Sequence, residues 1–190
     1  MKSECAQSLW RQSHKADPSV AVLDQSLEAE LLVIGAGFTG CSAALEAAQS
    51  GATVVVLEAN TIGHGGSGRN VGLVNAGLWL PPDDITQKLG HEKGNRLIDV
   101  LSVAPDLVFQ LIEQNEINCE AIRNGTLHLA HSSWGLKDLR NRFQQGNHIG
   151  APLRLLGSNE TDDRTGSGAF YGGLFDPRAG TIQPLAYCRG

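Results

Sequence analysis

Three glycines and one acid are the residues of this sequence whose types and spacing could do chemistry. Gly35, Gly37 and Gly40 follow a short apolar run, and Glu58 ends a second apolar run. A glycine turn of this kind lets a pyrophosphate approach the backbone, and an acid about 20 residues further on can accept hydrogen bonds from ribose hydroxyls. The spacing therefore predicts a dinucleotide site, and the acid argues against a 2′-phosphate and so against NADP.

The elements that must position these residues follow the same order along the chain. Residues 30–34 read as an apolar strand, residues 41–50 as an alanine-rich helix and residues 53–57 as a second strand. A strand, a glycine turn, a helix and a strand form half of a dinucleotide-binding unit, with the helix N-terminus offering N–H groups to the phosphates. A glycine-rich turn in another kind of α/β protein remains the alternative interpretation.

A second glycine-rich stretch follows Glu58 and covers residues 61–77. Six glycines in this stretch can bring the backbone close to a flat ligand, and exposed N–H groups can form an anion-binding nest. Arg69 could pair with a pyrophosphate, and Ser67 and Asn70 could hydrogen-bond to a ring or a phosphate. A mobile surface loop is the alternative.

The two glycine stretches together resemble a known family. Gly35-x-Gly37-x-x-Gly40 and the segment 63–72 are similar to the N-terminal half of FAD-dependent amine and amino-acid oxidoreductases, the D-amino-acid oxidase and glycine oxidase superfamily. The Ser-Gly-Arg-Asn-x-Gly pattern most resembles the gamma-glutamylputrescine oxidoreductase branch. The resemblance resumes at residues 172–184 and covers most of residues 30–190.

The resemblance implies FAD as the cofactor and assigns residues to it. The pyrophosphate would be held by Gly35, Gly37, Phe38, Thr39 and Gly40. Glu58 would hold the adenosine ribose. The residues that would lie along the pyrophosphate and the flavin are Ser67, Arg69, Asn70, Gly72 and Leu73. His64 lies near the position of covalent flavin attachment in sarcosine oxidase relatives, but the Ser-Gly-Arg-Asn pattern resembles the non-covalent branch.

The resemblance also implies an activity. Family members transfer a hydride from a carbon bearing an amine to the flavin, the imine hydrolyses, and oxygen reoxidises the flavin to give hydrogen peroxide. The expected partners are therefore a small-molecule amine and oxygen. No catalytic residue is identified, because the groups that hold the substrate come largely from the second half of the family's fold.

The expected fold class is α/β, an FAD-binding Rossmann-like domain with the beginning of an α+β substrate domain, apparently truncated. Residues 1–28 are predicted to be an N-terminal arm that packs through Trp10, with a disordered tail as the alternative. Residues 29–80 form the βαβ unit and second glycine loop. Residues 81–175 begin the substrate region, and residues 176–190 return toward the FAD domain.

The middle and end of the chain carry weaker patterns. Residues 83–117 are predicted helical, with Pro105 marking a break or the start of a second helix. A tight hairpin turn is expected at Asn124-Gly125. Residues 135–145 are expected to be a helix, and Pro184 is well placed to open another. In the helix predicted over residues 83–117, the side chains expected to face the core are those of Leu97, Leu101, Ala104, Val108 and Leu111. In the helix predicted over residues 135–145, they are those of Leu136, Leu139 and Phe143. Strands are expected at residues 153–156 and 170–175.

Composition narrows the class of protein. The 190 residues carry a net charge of −5 with scattered basic residues, which argues against a nucleic-acid binder. The sequence holds no apolar run near the roughly 20 residues of a membrane span. The widely spaced cysteines predict reduced thiols in a cytoplasmic protein. They are Cys5, Cys41, Cys119 and Cys188.

No metal site is expected, because His128 and His131 have no third ligand at a recognisable spacing.

Two alternatives to the flavoenzyme remain. One is a non-catalytic fragment with weak or no nucleotide binding. The other is an NAD-dependent dehydrogenase, which the glycine stretch at 63–77 disfavours, since an NAD fold usually proceeds directly through further βαβ units.

Overall fold

The computed structural model describes residues 8–13, 18–78 and 80–190, so Cys5 lies outside the described residues. The helices are α1 (Leu9–Ser13), α2 (Phe38–Gln49), α3 (Pro82–Leu89), α4 (His91–Gln114), α5 (Ser133–His148), α6 (Ser158–Thr165) and α7 (Pro184–Arg189). The strands are β1 (Leu31–Ile34), β2 (Val54–Leu57), β3 (Leu73–Val74), β4 (Thr126–Ala130), β5 (Arg154–Leu156), β6 (Gly172–Asp176) and β7 (Gly180–Thr181). None of the helices among these residues has the length and apolar character needed to cross a membrane.

The chain divides into two compact units. Unit 1 holds the described residues of 1–72, 112–120 and 182–190. Unit 2 holds residues 73–111 and 121–181, apart from residue 79. The boundaries expected from the sequence stay a prediction.

Unit 1 is built on the parallel pair of β1 and β2, with Leu31 opposite Val54 and Ile34 opposite Leu57. Helix α2 connects the two strands and begins at Phe38, three residues before the predicted start. Gly37 precedes it in an extended conformation, with φ −95° and ψ −176°. The predicted strand, glycine turn, helix and strand are all present.

Unit 2 contains an antiparallel sheet in the order β4-β6-β5. Ala130, Leu139 and Leu174 form its buried cluster, against which Leu136 and Phe143 of α5 pack. This confirms the predicted inward face of α5. Strands β3 and β7 form a separate antiparallel pair.

The hairpin predicted at Asn124-Gly125 is wrong. Gly125 does adopt the left-handed backbone of such a turn, with φ +87°. Its N–H, however, donates to Ala179 O at 2.9 Å, and β4 pairs with β6 instead of with the preceding segment. A strand partner distant in sequence decides the pairing here, because β pairing depends on burial and neighbours more than on one turn.

The break predicted at Pro105 is also wrong. Helix α4 continues through Pro105, which is fully buried. The chain breaks instead at Gly90, where φ is +80°, between α3 and α4. A proline inside a helix removes one backbone hydrogen bond, and the helix persists because packing of the buried residue outweighs that local cost.

Candidate cofactor-binding site

The turn between β1 and α2 requires glycine at two positions. Gly35 has φ +101°, and its N–H donates to Leu57 O at 2.7 Å. A β-carbon at Gly40 would lie 1.9 Å from Gly35 O and 3.2 Å from Val33 Cγ1. Only glycine at position 40 therefore allows α2 to pack this closely on the turn and on β1.

Gly37 and Ser67 bring the two glycine stretches together at the N-terminus of α2. Ser67 Oγ accepts a hydrogen bond from Phe38 N–H at 3.0 Å. A β-carbon at Gly37 would lie 2.9 Å from the same oxygen. The amides of Thr39 and Gly40 lie in the first helical turn, where an α-helix has no internal acceptor for them. This end of α2 can therefore donate N–H groups to an anion.

Glu58 stands at the end of β2, next to the turn after β1. Its Oε2 accepts from Ala36 N–H at 2.9 Å, and its Oε1 accepts from Asn60 N–H at 2.9 Å. These hydrogen bonds, Ala36 first, hold the pKa of the Glu58 carboxyl below its ordinary value of 4.5. Glu58 is therefore an oriented carboxylate at neutral pH, which suits an acceptor for ribose hydroxyls.

Asn70 and Arg69 hold the shape of the second glycine stretch. Asn70 Nδ2 donates to Ser67 O at 2.8 Å, and Asn70 Oδ1 accepts from Gly72 N–H at 2.8 Å. Arg69 Nε donates to His64 O at 2.8 Å. A β-carbon at Gly72 would lie 2.2 Å from Ile182 O. Both amide ends of Asn70 therefore stabilise the loop itself, a structural role that the motif did not indicate.

Helix α1 lies against this loop. Trp10 Nε1 donates to Asn70 O at 2.7 Å, and Ser8 Oγ donates to Gly68 O at 3.3 Å. Gln183 Nε2 donates to Trp10 O at 2.8 Å, and Gln183 Oε1 accepts from Ala186 N–H at 2.7 Å. Sequence reasoning missed Gln183; its position directly before the helix-opening proline was the available signal, because that is where a capping side chain acts.

Two further residues complete the description of the predicted site. The ring of Phe38 packs edge-on against Tyr187 of α7, with centroids 5.4 Å apart. Leu73 belongs to unit 2, where it pairs with Thr181 in β3 and β7. The structure therefore gathers the other predicted site residues in unit 1.

The gathered residues fit the pyrophosphate and ribose of FAD. Gly37 leaves open the space that a β-carbon would fill, the first turn of α2 supplies donors, and Glu58 supplies an acceptor. The hydroxyl of Ser67 accepts from Phe38, so its own hydrogen can be donated to a phosphate oxygen. Donors at a helix N-terminus with a nearby carboxylate are the set that a dinucleotide requires.

Unit 2 contains a cavity of about 150 Å³. Leu78, Ile85, Leu101 and Leu153 contribute apolar walls, and His128 and Asp176 contribute polar ones. Burial and the charge of Arg142 lower the pKa of His128, while Asp176 opposes them. In the part of the chain that the structure describes, no three His, Cys, Asp or Glu side chains are grouped as metal ligands.

Comparisons with known proteins give the family context. A family model described as "DAO: FAD dependent oxidoreductase" matches residues 30–190. "Probable oxidoreductase OrdL" of Haemophilus influenzae is 32% identical over 189 residues, covering 98% of this chain and 44% of that protein. "Gamma-glutamylputrescine oxidoreductase" of Escherichia coli is 32% identical over 164 residues, covering 86% of this chain and 40% of that protein.

A solved structure shows the same fold. Glycine oxidase from Geobacillus kaustophilus matches with a TM-score of 0.69 at 19% identity, covering 84% of this chain and 42% of that chain. The expected FAD-binding α/β fold is thereby confirmed. The chain spans less than half the length of these relatives.

Proposed function

This chain belongs to the DAO family of FAD-dependent oxidoreductases, and from that premise we propose that unit 1 binds FAD for the oxidation of an amine or amino acid. The family match favours FAD over the NAD alternative. The observation that carries the proposal is the cradle in which Ser67, the first turn of α2 and Glu58 surround the turn after β1. FAD, when bound, supplies the acceptor for the hydride.

We propose that the chain's own residues bind and orient the cofactor. In the first turn of α2, the amides of Thr39 and Gly40 would donate to the pyrophosphate, while Gly35, Gly37 and Phe38 would form the turn that holds it. Glu58 would accept from the adenosine ribose, and Ser67 would donate to a phosphate. The exposed guanidinium of Arg69 would add charge-assisted hydrogen bonds. Asn70 and Gly72 would keep the second loop in shape, with Leu73 following toward the flavin.

The proposed substrate class is an amine, with oxygen as the acceptor of electrons from the reduced flavin. Support comes from the Escherichia coli relative, whose name includes an amine, gamma-glutamylputrescine. No residue of this chain is proposed as catalytic. The cytoplasmic location expected from the sequence stays a prediction.

The test is a titration of the purified 190-residue chain with FAD, followed by flavin fluorescence and visible absorbance. Glu58→Gln is expected to weaken FAD binding about tenfold, because one charge-assisted hydrogen bond contributes about 1.5 kcal/mol. Gly37→Ala is expected to weaken it at least as much, while Gly65→Ala, whose β-carbon would meet nothing within 4 Å, serves as the matched control. A folded chain that takes up no FAD would support the non-catalytic alternative.

Two further measurements separate parts of the proposal. Acid precipitation of the loaded chain is expected to leave the flavin in the supernatant, and colour in the pellet would implicate His64 as a covalent attachment point. Anaerobic addition of an amine is expected to bleach the flavin of this chain poorly, because the groups that hold the substrate come largely from the second half of the family's fold. FAD binding without bleaching by any amine would retain the cofactor assignment and support the non-catalytic alternative for this chain.

A further inference from the structure

Helix α1 is held on the second glycine stretch by hydrogen bonds and not by a buried face. None of the residues Leu9–Ser13 is buried, and Leu9 is 67% exposed. Trp10 Nε1 donates to Asn70 O at 2.7 Å, and Gln183 Nε2 donates to Trp10 O at 2.8 Å. A helix of five residues has little stability of its own in water. The docking of α1 therefore depends on a few bonds, and α1 can detach while the rest of unit 1 stays folded.

A short series of contacts leads from Trp10 to the N-terminus of α2. The carbonyl that Trp10 binds belongs to Asn70, whose Nδ2 donates to Ser67 O at 2.8 Å. The hydroxyl of Ser67 in turn accepts from the N–H of Phe38, the first residue of α2, at 3.0 Å. The indole N–H of Trp10 therefore holds the backbone whose side chains shape the proposed pyrophosphate site.

The same glycine stretch also rests on the segment that leads into α7. Ile182 N–H donates to Gly72 O at 2.8 Å, and a β-carbon at Gly68 would lie 2.9 Å from Leu185 Cδ1. Ile182 and Leu185 are 7% and 3% exposed. These buried contacts form a fixed base for the stretch, whereas the exposed α1 is the support that can dock and detach.

We propose that Trp10 is a positioning residue and that α1 is a clasp, which on docking holds residues 66–70 in the conformation that receives the pyrophosphate of FAD. FAD in turn holds α1 in its docked position. Two binding events that favour one conformation strengthen each other by the same factor. This inference rests on the proposed function, because it requires that unit 1 binds FAD, and it adds control of that site by an element outside the glycine motifs.

The first experiment titrates FAD into the native chain and into Trp10→Phe, which keeps an aromatic ring and removes the N–H donor. Loss of one neutral hydrogen bond from the clasp is expected to weaken FAD binding about fivefold. Trp134, in α5 of unit 2, is 76% exposed, so Trp134→Phe is the matched control and should bind FAD as the native chain does. Equal affinities for the native chain and Trp10→Phe would overturn the clasp and leave the FAD assignment intact.

A second measurement uses the native chain alone, so it decides the matter even if Trp10→Phe fails to fold. Tryptic cleavage after Arg11, inside α1, is followed with and without saturating FAD. FAD is expected to slow this cleavage about fivefold, while cleavage after the exposed Lys88 of α3 in unit 2 keeps its rate. Unchanged cleavage after Arg11, or equal slowing at both sites, would overturn the clasp. A native chain that takes up no FAD would overturn the clasp and the proposed function together.

Discussion

Gly40 sets how closely α2 approaches the end of β1. Because an added β-carbon would lie 1.9 Å from Gly35 O, Gly40→Ala is expected to lower the free energy of unfolding by about 3 kcal/mol. Urea denaturation measures the change. Gly65→Ala should stay within about 0.5 kcal/mol of the native chain. Equal losses for the two variants would show that position 40 has no special packing role.

Glu58 predicts a pH dependence of stability. Its folded pKa is depressed below 4.5, so its contribution is complete above pH 4.5 and is lost as the pH falls through the folded pKa. Glu58→Gln is therefore expected to melt at a lower temperature than the native chain at pH 7. The difference should close as the pH falls below 4.5, as thermal unfolding at a series of pH values would show. A difference that persists unchanged in acid would mean that the carboxylate charge is not the cause.

At the scale of elements, Gln183 connects α1 to the start of α7. It is 1% exposed, and its amide is bound to Trp10 O, Ser13 Oγ and Ala186 N–H. Gln183→Ala is expected to cost about 2–3 kcal/mol of stability, because it leaves buried polar groups unpaired. Urea denaturation measures the loss, and faster tryptic cleavage after Arg11 would report release of α1.

The exposed Gln110 of α4 offers the control for this variant. Gln110→Ala should change stability by no more than about 0.5 kcal/mol. If Gln183→Ala behaves the same way, the connection between α1 and α7 contributes little to the fold.

At the scale of the whole molecule, one apolar face of the β1–β2 pair is exposed to solvent. Helix α2 packs on the face of Val33, while Leu32 and Ile34 on the opposite face are 53% and 83% exposed. Parallel strands are normally covered on both faces, and an exposed apolar patch of this kind favours association. The chain spans less than half the length of the relatives it matches.

The double variant Leu32→Thr with Ile34→Thr is expected to reduce binding of a hydrophobic dye and concentration-dependent association. Its stability should change by less than about 1 kcal/mol, because both side chains are already exposed. Light scattering and dye fluorescence measure the effect. Val74→Thr, at a position only 8% exposed, should instead lose about 1–3 kcal/mol. Unchanged association in the double variant would show that this face is not the site of contact.

The glycine turn, the parallel strands and the family could all be predicted from the order of residues alone. These signals are local: the positions of Gly35 and Gly40 between apolar runs permit few backbone paths, so spacing alone predicts the turn. The inward face of α5 and the start of α7 at Pro184 were predictable for the same reason, since periodicity and a fixed proline φ act within a few residues.

Which distant segments pair with one another became visible only in the folded chain. Gly125 has the backbone of a hairpin turn, yet its strand pairs with β6, and Pro105 stays inside a helix that packing preserves. The hydrogen bonds of Gln183 to Trp10 O and of Trp10 to Asn70 O, and the use of both ends of Asn70 within its loop, join groups through space. Such contacts depend on how segments that are distant in sequence bury one another. The free energy of that burial leaves no pattern in the residues adjacent along the chain.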